Sequence, residues 1–111
     1  MKIGVMSTGP TLEHYLGAHA KSSGYLLIVD LDSMRYLAVQ NPIHTLHGLA
    51  AGKLFAQVLV QNSVDAVLAG SFDLGIRQML CKVGLKVIHH EIGINYRILE
   101  ELRVTYQSAV S

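Results

Sequence analysis

A chain of 111 residues, half of them apolar and 15% charged, has enough apolar surface for one real core and too little length for two. Nine basic residues stand against eight acidic ones, scattered along the chain, so no basic stripe exists to release counterions from a nucleic acid backbone. A single cysteine, Cys81, excludes an intrachain disulfide, and no apolar run approaches the roughly 20 residues that span a bilayer.

The opening Met1-Lys2-Ile3-Gly4-Val5 reads as a buried strand rather than a signal peptide, so a cytoplasmic location is expected. The turn signal Ser7-Thr8-Gly9-Pro10 ends the strand, and the segment to Gly24 reads mainly as loop. Tyr25 to Asp30 is a continuous apolar strand. A second β-rich run, Arg35 to Val39, follows after Asp and Ser, which predicts an antiparallel hairpin with an exposed outer strand. Asn41-Pro42 ends that strand, because proline cannot donate to a ladder.

From Leu46 to Asn62 the period becomes helical. Ala51, Leu54, Phe55, Val58 and Leu59 form one apolar stripe, and Thr45 is a candidate N-cap. Asp65 to Gly70 is then a short buried strand. Ser71 or Asp73 can cap a second helix with Phe72, Ile76, Met79, Leu80 and Val83 as its core face, and Gly84 stops it. Leu85 to Ile88 is a last strand. Asn95 is expected to cap a final helix with Ile98, Leu99, Leu102 and Tyr106 inside, and Arg97 and Glu101 form a modest surface pair.

The order β-β-β-α-β-α-β-α implies one domain over residues 1–111: an α/β, three-layer domain with a mixed sheet, its later strands parallel and helices over both faces. Its words resemble the dinitrogenase iron–molybdenum cofactor biosynthesis family, the proteins related to NifX, NafY and the C-terminal part of NifB. The matching pieces are Met1 to Val5 leading to Ser7-Thr8-Gly9, Tyr25 to Asp32 leading to Asn41-Pro42, and His47-Gly48 opening a helix. Val64 to Gly70 and Gly84 to Ile88 complete them. The resemblance implies a ribonuclease H-like fold, a mixed five-stranded sheet flanked by helices. It also implies binding or carriage of an iron–sulfur or iron–molybdenum cluster or precursor, held transiently rather than tightly. Two stretches depart from the family pattern. Leu16-Gly17-Ala18-His19-Ala20 stands where many relatives have His-Phe-Gly or Arg-Phe-Gly, and Ser71-Phe72-Asp73-Leu74 stands where Gly-Pro-Asn-Ala is common.

Six histidines are many for this length. His44 and His47, three apart at a helix entrance, can converge on one metal, and imidazole is a competent iron ligand. His14 and His19 lie in the loop leaving the first strand, where ligands gather in open α/β sheets. The expected cofactor contacts are therefore His47, Gly48, His19, Ser7, Gly9, Gly70 and Ser71, with His47, His44, His19 and His14 as metal ligands. His89 and His90, adjacent after the last strand, cannot both face one site without a turn. Cys81 reads as a structural, partly buried thiol, and without a cysteine set the chain could hold a preformed cluster but hardly assemble one.

Enzyme readings fare worse. A ribonuclease H-type nuclease needs clustered carboxylates for two metals about 4 Å apart, and the first strand contains no acid. Gly70 to Gly75 is neither G-x-G-x-x-G nor a P-loop. The expected function is non-catalytic, with a metal cluster or cluster-donor protein as partner, no nucleic acid, no membrane, and a homodimer open. The alternative is a metal-free regulatory or interaction domain pairing through the edge from Arg35 to Val39.

Overall fold

Alternate residues of the apolar runs enter two different cores, and this split organises the molecule. The computed structural model describes residues 1–45 and 49–110. β1 (Lys2–Ser7) and β2 (Tyr25–Asp30) are apolar on both faces because both faces are covered. Met6, Leu26 and Ile28 point into one core, while Ile3, Val5, Leu27 and Val29 point into the other.

The further elements are β3 (Tyr36–Gln40), α1 (Pro42–Thr45), α2 (Leu49–Gln61), β4 (Ala66–Ala69), α3 (Leu74–Lys82), β5 (Lys86–His89) and α4 (Asn95–Val110). The five strands form one mixed sheet in the order β3-β2-β1-β4-β5. β2 runs antiparallel to β1 and β3, while β4 runs parallel to both β1 and β5. At the centre Val5 lies opposite Leu27 on one side and Leu68 on the other. Phe55 and Leu59 of α2 and Leu80 of α3 fill the first core, and Ile98 and Leu99 of α4 fill the second. The layers are therefore helix, sheet, helix.

Several local expectations need correction. The helix expected from Leu46 is preceded by the separate turn α1, because Asn41 is an N-cap and Pro42 the first helical residue. The Ile43 amide donates to Asn41 Oδ1 at 3.3 Å, and Asn41 Nδ2 donates to the carbonyls of Ala20 and Ser23 at 2.9 and 2.8 Å. Thr45 is the last residue of α1, and the helix start expected at Leu46 lies outside the described residues. Leu54 and Val83 are exposed rather than part of the core faces. Asp73 is the N-cap of α3 by backbone conformation, without a side-chain bond, and Gly84 ends that helix at φ +82, a conformation that suits glycine.

Asn95 does not cap α4. It is the helix's first residue, and its side chain turns inward to Ser7, while the amides of Asn95 and Tyr96 donate to the carbonyls of His14 and Leu12. Glu101 pairs with His90 rather than Arg97. The outer strand β3 is an edge as expected, with Tyr36 and Leu37 41% and 53% exposed. Among the described residues no helix is long and apolar enough to cross a membrane.

Candidate functional site: a histidine-lined cleft

The parallel strands β1, β4 and β5 end on the same edge of the sheet, so the loops that follow them gather there. Backbone bonds lace these loops together. Gly17 donates to Met6, Gly70 to Gly17, Ala20 to Ser71 and Leu16 to Gly93, all at 2.8 or 2.9 Å. Gly70 must lack a side chain for the approach, since a Cβ there would lie 2.7 Å from the Ala18 carbonyl oxygen.

Between the loops opens a cleft of ≈ 540 Å³ with three walls: Ala18-His19, Gly70-Ser71, and the segment from His89 to Ile92. His19 Nδ1 lies 2.5 Å from Ser71 Oγ, and that hydroxyl donates to the Ala18 carbonyl at 2.9 Å. His19 Nε2 has no hydrogen-bond partner among the described residues. The His89 ring stands edge-on to Phe72, with centroids 5.3 Å apart.

His90 is held at both nitrogens. Its Nδ1 donates to the Glu91 carbonyl at 2.8 Å, and its Nε2 lies 3.1 Å from a Glu101 carboxylate oxygen. Both partners accept while Glu101 is ionised, so the pair of contacts is fully satisfied only by the protonated ring. The His90 pKa is accordingly raised, first by the Glu91 carbonyl and then by Glu101, with partial burial opposing them. The cleft wall therefore carries an imidazole biased toward its protonated form, in which neither nitrogen can ligate a metal.

Of the expected site residues, His19, Gly70 and Ser71 come together in this cleft. Ser7 and Gly9 do not. Ser7 is fully buried, its hydroxyl donating to the Gly9 carbonyl at 2.7 Å and accepting from Asn95 and the Gly9 amide. His14 folds back on its own turn, where Nδ1 meets the Thr11 amide and hydroxyl at 3.2 and 2.8 Å and the ring covers Gly9. His44 is exposed on α1 and does not line the cleft. His47 and Gly48 lie outside the described residues.

His89 and His90 both line the cleft, because the chain leaves the sheet between them and the alternation of an extended strand no longer applies. Glu91 and Ile92 also line it and were not anticipated. The only signal for them was their position after a parallel strand. Cys81 is exposed on α3 rather than partly buried, and it is not in the cleft. Asp30 and Asp65 hold local structure. The Asp30 carboxylate accepts from the amides of Asp32 and Ser33, which lowers its pKa, and Asp65 accepts from the Lys2 amide. Among the described residues no three His, Cys, Asp or Glu side chains are grouped to hold one metal ion.

The sequence profile of a family described as dinitrogenase iron-molybdenum cofactor matches residues 1–103. Comparison with curated proteins gives no match. Among solved structures, that of a candidate NifB protein from Thermotoga superposes with a TM-score of 0.77 at 24% identity, covering 91% of this chain and 85% of that one. The apo form of the orange protein from Desulfovibrio gigas gives 0.73 at 25% identity, covering 91% and 86%. A candidate dinitrogenase from Methanocaldococcus jannaschii gives 0.59 at 14%, covering 89% and 85%.

Proposed function

This chain belongs to the dinitrogenase iron–molybdenum cofactor family, and from that premise we propose that it carries a preformed, anionic metal–sulfur cluster as cargo in the His19–Ser71–His90 cleft. Carriage, not catalysis, is the role, exercised in the cytoplasm between a cluster donor and an acceptor. The observation that carries this reading is the pairing of two unlike histidines in one cleft. His90 has an acceptor at each ring nitrogen, which favours its positive form, whereas His19 has a ring nitrogen with no partner among the described residues. A cation and a single imidazole nitrogen suit a ligand that is negative overall and exposes a metal.

The donor set also fits cargo better than a resident centre. The cleft supplies imidazoles and one carboxylate, Glu91, and Cys81 lies elsewhere. A cluster that brings its own sulfides needs only a few outside contacts, whereas assembly of a stable iron–sulfur centre calls for a thiolate set. The structure of the Desulfovibrio gigas relative is that of an apo form, which supports the same reading. The lone antiparallel strand, β2, in a five-stranded sheet supports the ribonuclease H-like classification.

Anaerobic titration with a thiolate-ligated synthetic iron–sulfur cluster, followed by desalting and visible absorption, tests the proposal. Wild type should keep colour through the column and His19→Ala should lose most of it. No retained colour in wild type, or equal retention in His19→Ala, would sink the reading. His47→Ala asks separately whether the segment outside the described residues contributes.

The exposed β3 edge favours a second reading, a metal-free interaction domain that pairs through Tyr36 and Leu37. It predicts a dimer on size exclusion that a chelator leaves unchanged.

A further inference from the structure

We propose that Ser71 is a positioning residue that fixes His19 in the tautomer protonated at Nδ1, leaving Nε2 with its lone pair available to a ligand in the cleft. The proposal rests on the carrier reading for its use, but its structural content stands on hydrogen bonds alone.

A serine hydroxyl has one proton. Ser71 Oγ lies 2.9 Å from the Ala18 carbonyl, which can only accept, so the proton points there. Only lone pairs remain on Oγ for the His19 Nδ1 atom 2.5 Å away, and Nδ1 must therefore be the donor. The reverse arrangement, with the hydroxyl donating to Nδ1, would leave the Ala18 carbonyl without a donor among the described residues. In the neutral ring a proton on Nδ1 leaves Nε2 bare, so metal coordination there requires no loss of a proton. The partner of one imidazole nitrogen sets the state of the other.

Ser71 also anchors the backbone on both sides of His19. Its hydroxyl holds Ala18, and its carbonyl accepts from the Ala20 amide at 2.9 Å. A ring held at its own nitrogen and at both flanking peptides has little freedom to turn away. Phe72 continues this wall by packing against His89, so the Gly70 to Phe72 turn sets the attitude of two of the cleft's histidines.

Long-range proton–nitrogen correlation spectra of metal-free, nitrogen-15-labelled protein, recorded where the imidazole is neutral, read the tautomer directly. In wild type, His19 should show a protonated Nδ1 and a bare Nε2. Ser71→Ala should move His19 to the Nε2-protonated form that free imidazole side chains favour, and Ser71→Thr, which keeps the hydroxyl, should restore the wild-type pattern. Retention of the synthetic iron–sulfur cluster should weaken about 10-fold in Ser71→Ala, the scale of a lost supporting contact to a metal ligand.

A wild-type His19 protonated at Nε2, or a pattern unchanged in Ser71→Ala, overturns the role of Ser71. The wild-type spectrum decides this even where a variant fails to fold. The expected tautomers without any cluster retention by wild type confirm the role of Ser71 and refute the carrier reading instead.

Discussion

Asn95 Nδ2 donates to Ser7 Oγ at 2.8 Å, a buried bond that joins the end of β1 to the first residue of α4. The two residues are 88 positions apart. Ser7 Oγ also exchanges bonds with Gly9, so one hydroxyl ties a strand end, a loop and a helix start. Asn95 Oδ1 is buried without a partner, which leaves this junction little to replace a lost bond. Ser7→Ala should therefore cost about 1–3 kcal/mol, the penalty for orphaning buried donors. The urea midpoint should fall with an unchanged slope, and the melting temperature should drop by roughly 4–8 °C per kcal/mol.

The His90–Glu101 pair predicts a pH dependence of definite sign. The folded pKa of His90 is raised above its ordinary value of 6.5, chiefly by the Glu91 carbonyl and then by Glu101. Its contribution to stability is thus complete below the unfolded pKa and is lost as pH rises through the folded one. Glu101 is largely exposed, so the pair is worth less than about 1 kcal/mol. Urea midpoints of wild type and Glu101→Gln should differ slightly at mildly acidic pH, with Glu101 still ionised, and converge at alkaline pH. A gap that widens with rising pH would contradict the assignment.

Two glycines should respond in opposite ways to alanine. At Gly70 a Cβ would meet the Ala18 carbonyl oxygen at 2.7 Å and Ile92 Cδ1 at 3.0 Å. Gly70→Ala should therefore push the cleft walls apart and cost roughly 1–3 kcal/mol, as overpacking does. A Cβ at Gly75, in the first turn of α3, meets nothing within 4 Å. Gly75→Ala should be neutral or stabilise by up to about 1 kcal/mol, because alanine loses less backbone entropy in a helix. Paired thermal melts decide both.

Cys81 is free and exposed, and it stands apart from the cleft. Iodoacetamide should alkylate it to one equivalent in the native protein, as mass spectrometry would show. Cys81→Ser should retain a synthetic cluster as well as wild type does. Loss of colour in that variant would place a thiolate in the binding set and overturn the imidazole assignment.

Cleft and core were unequally legible in the sequence. The apolar runs of β1, β2 and β4, the helical stripe through Ala51, Phe55 and Leu59, and the exposed edge β3 could all be read from periodicity. Such patterns are local consequences of which faces must leave water. The same logic failed where a polar side chain had a choice. Asn41 ends the strand as expected but also caps α1, a role that was not read, and Asn95 looked like a cap and proved to be an inward bridge. A cap motif names a residue's capacity for hydrogen bonding but not which partner will be nearest.

The sequence by itself determined the two-faced apolar strands and an α/β layout with a mixed sheet and parallel pairing in its later half. Tertiary structure alone decided that β4 lies beside β1, which brings the loop carrying His19 against the turn carrying Ser71, 52 positions away. It also supplied the hydrogen-bond partners of His19 and His90, which come from neighbouring chain segments. Hydrophobic period encodes burial one residue at a time, whereas the chemistry of an imidazole is set by whatever the fold places beside it.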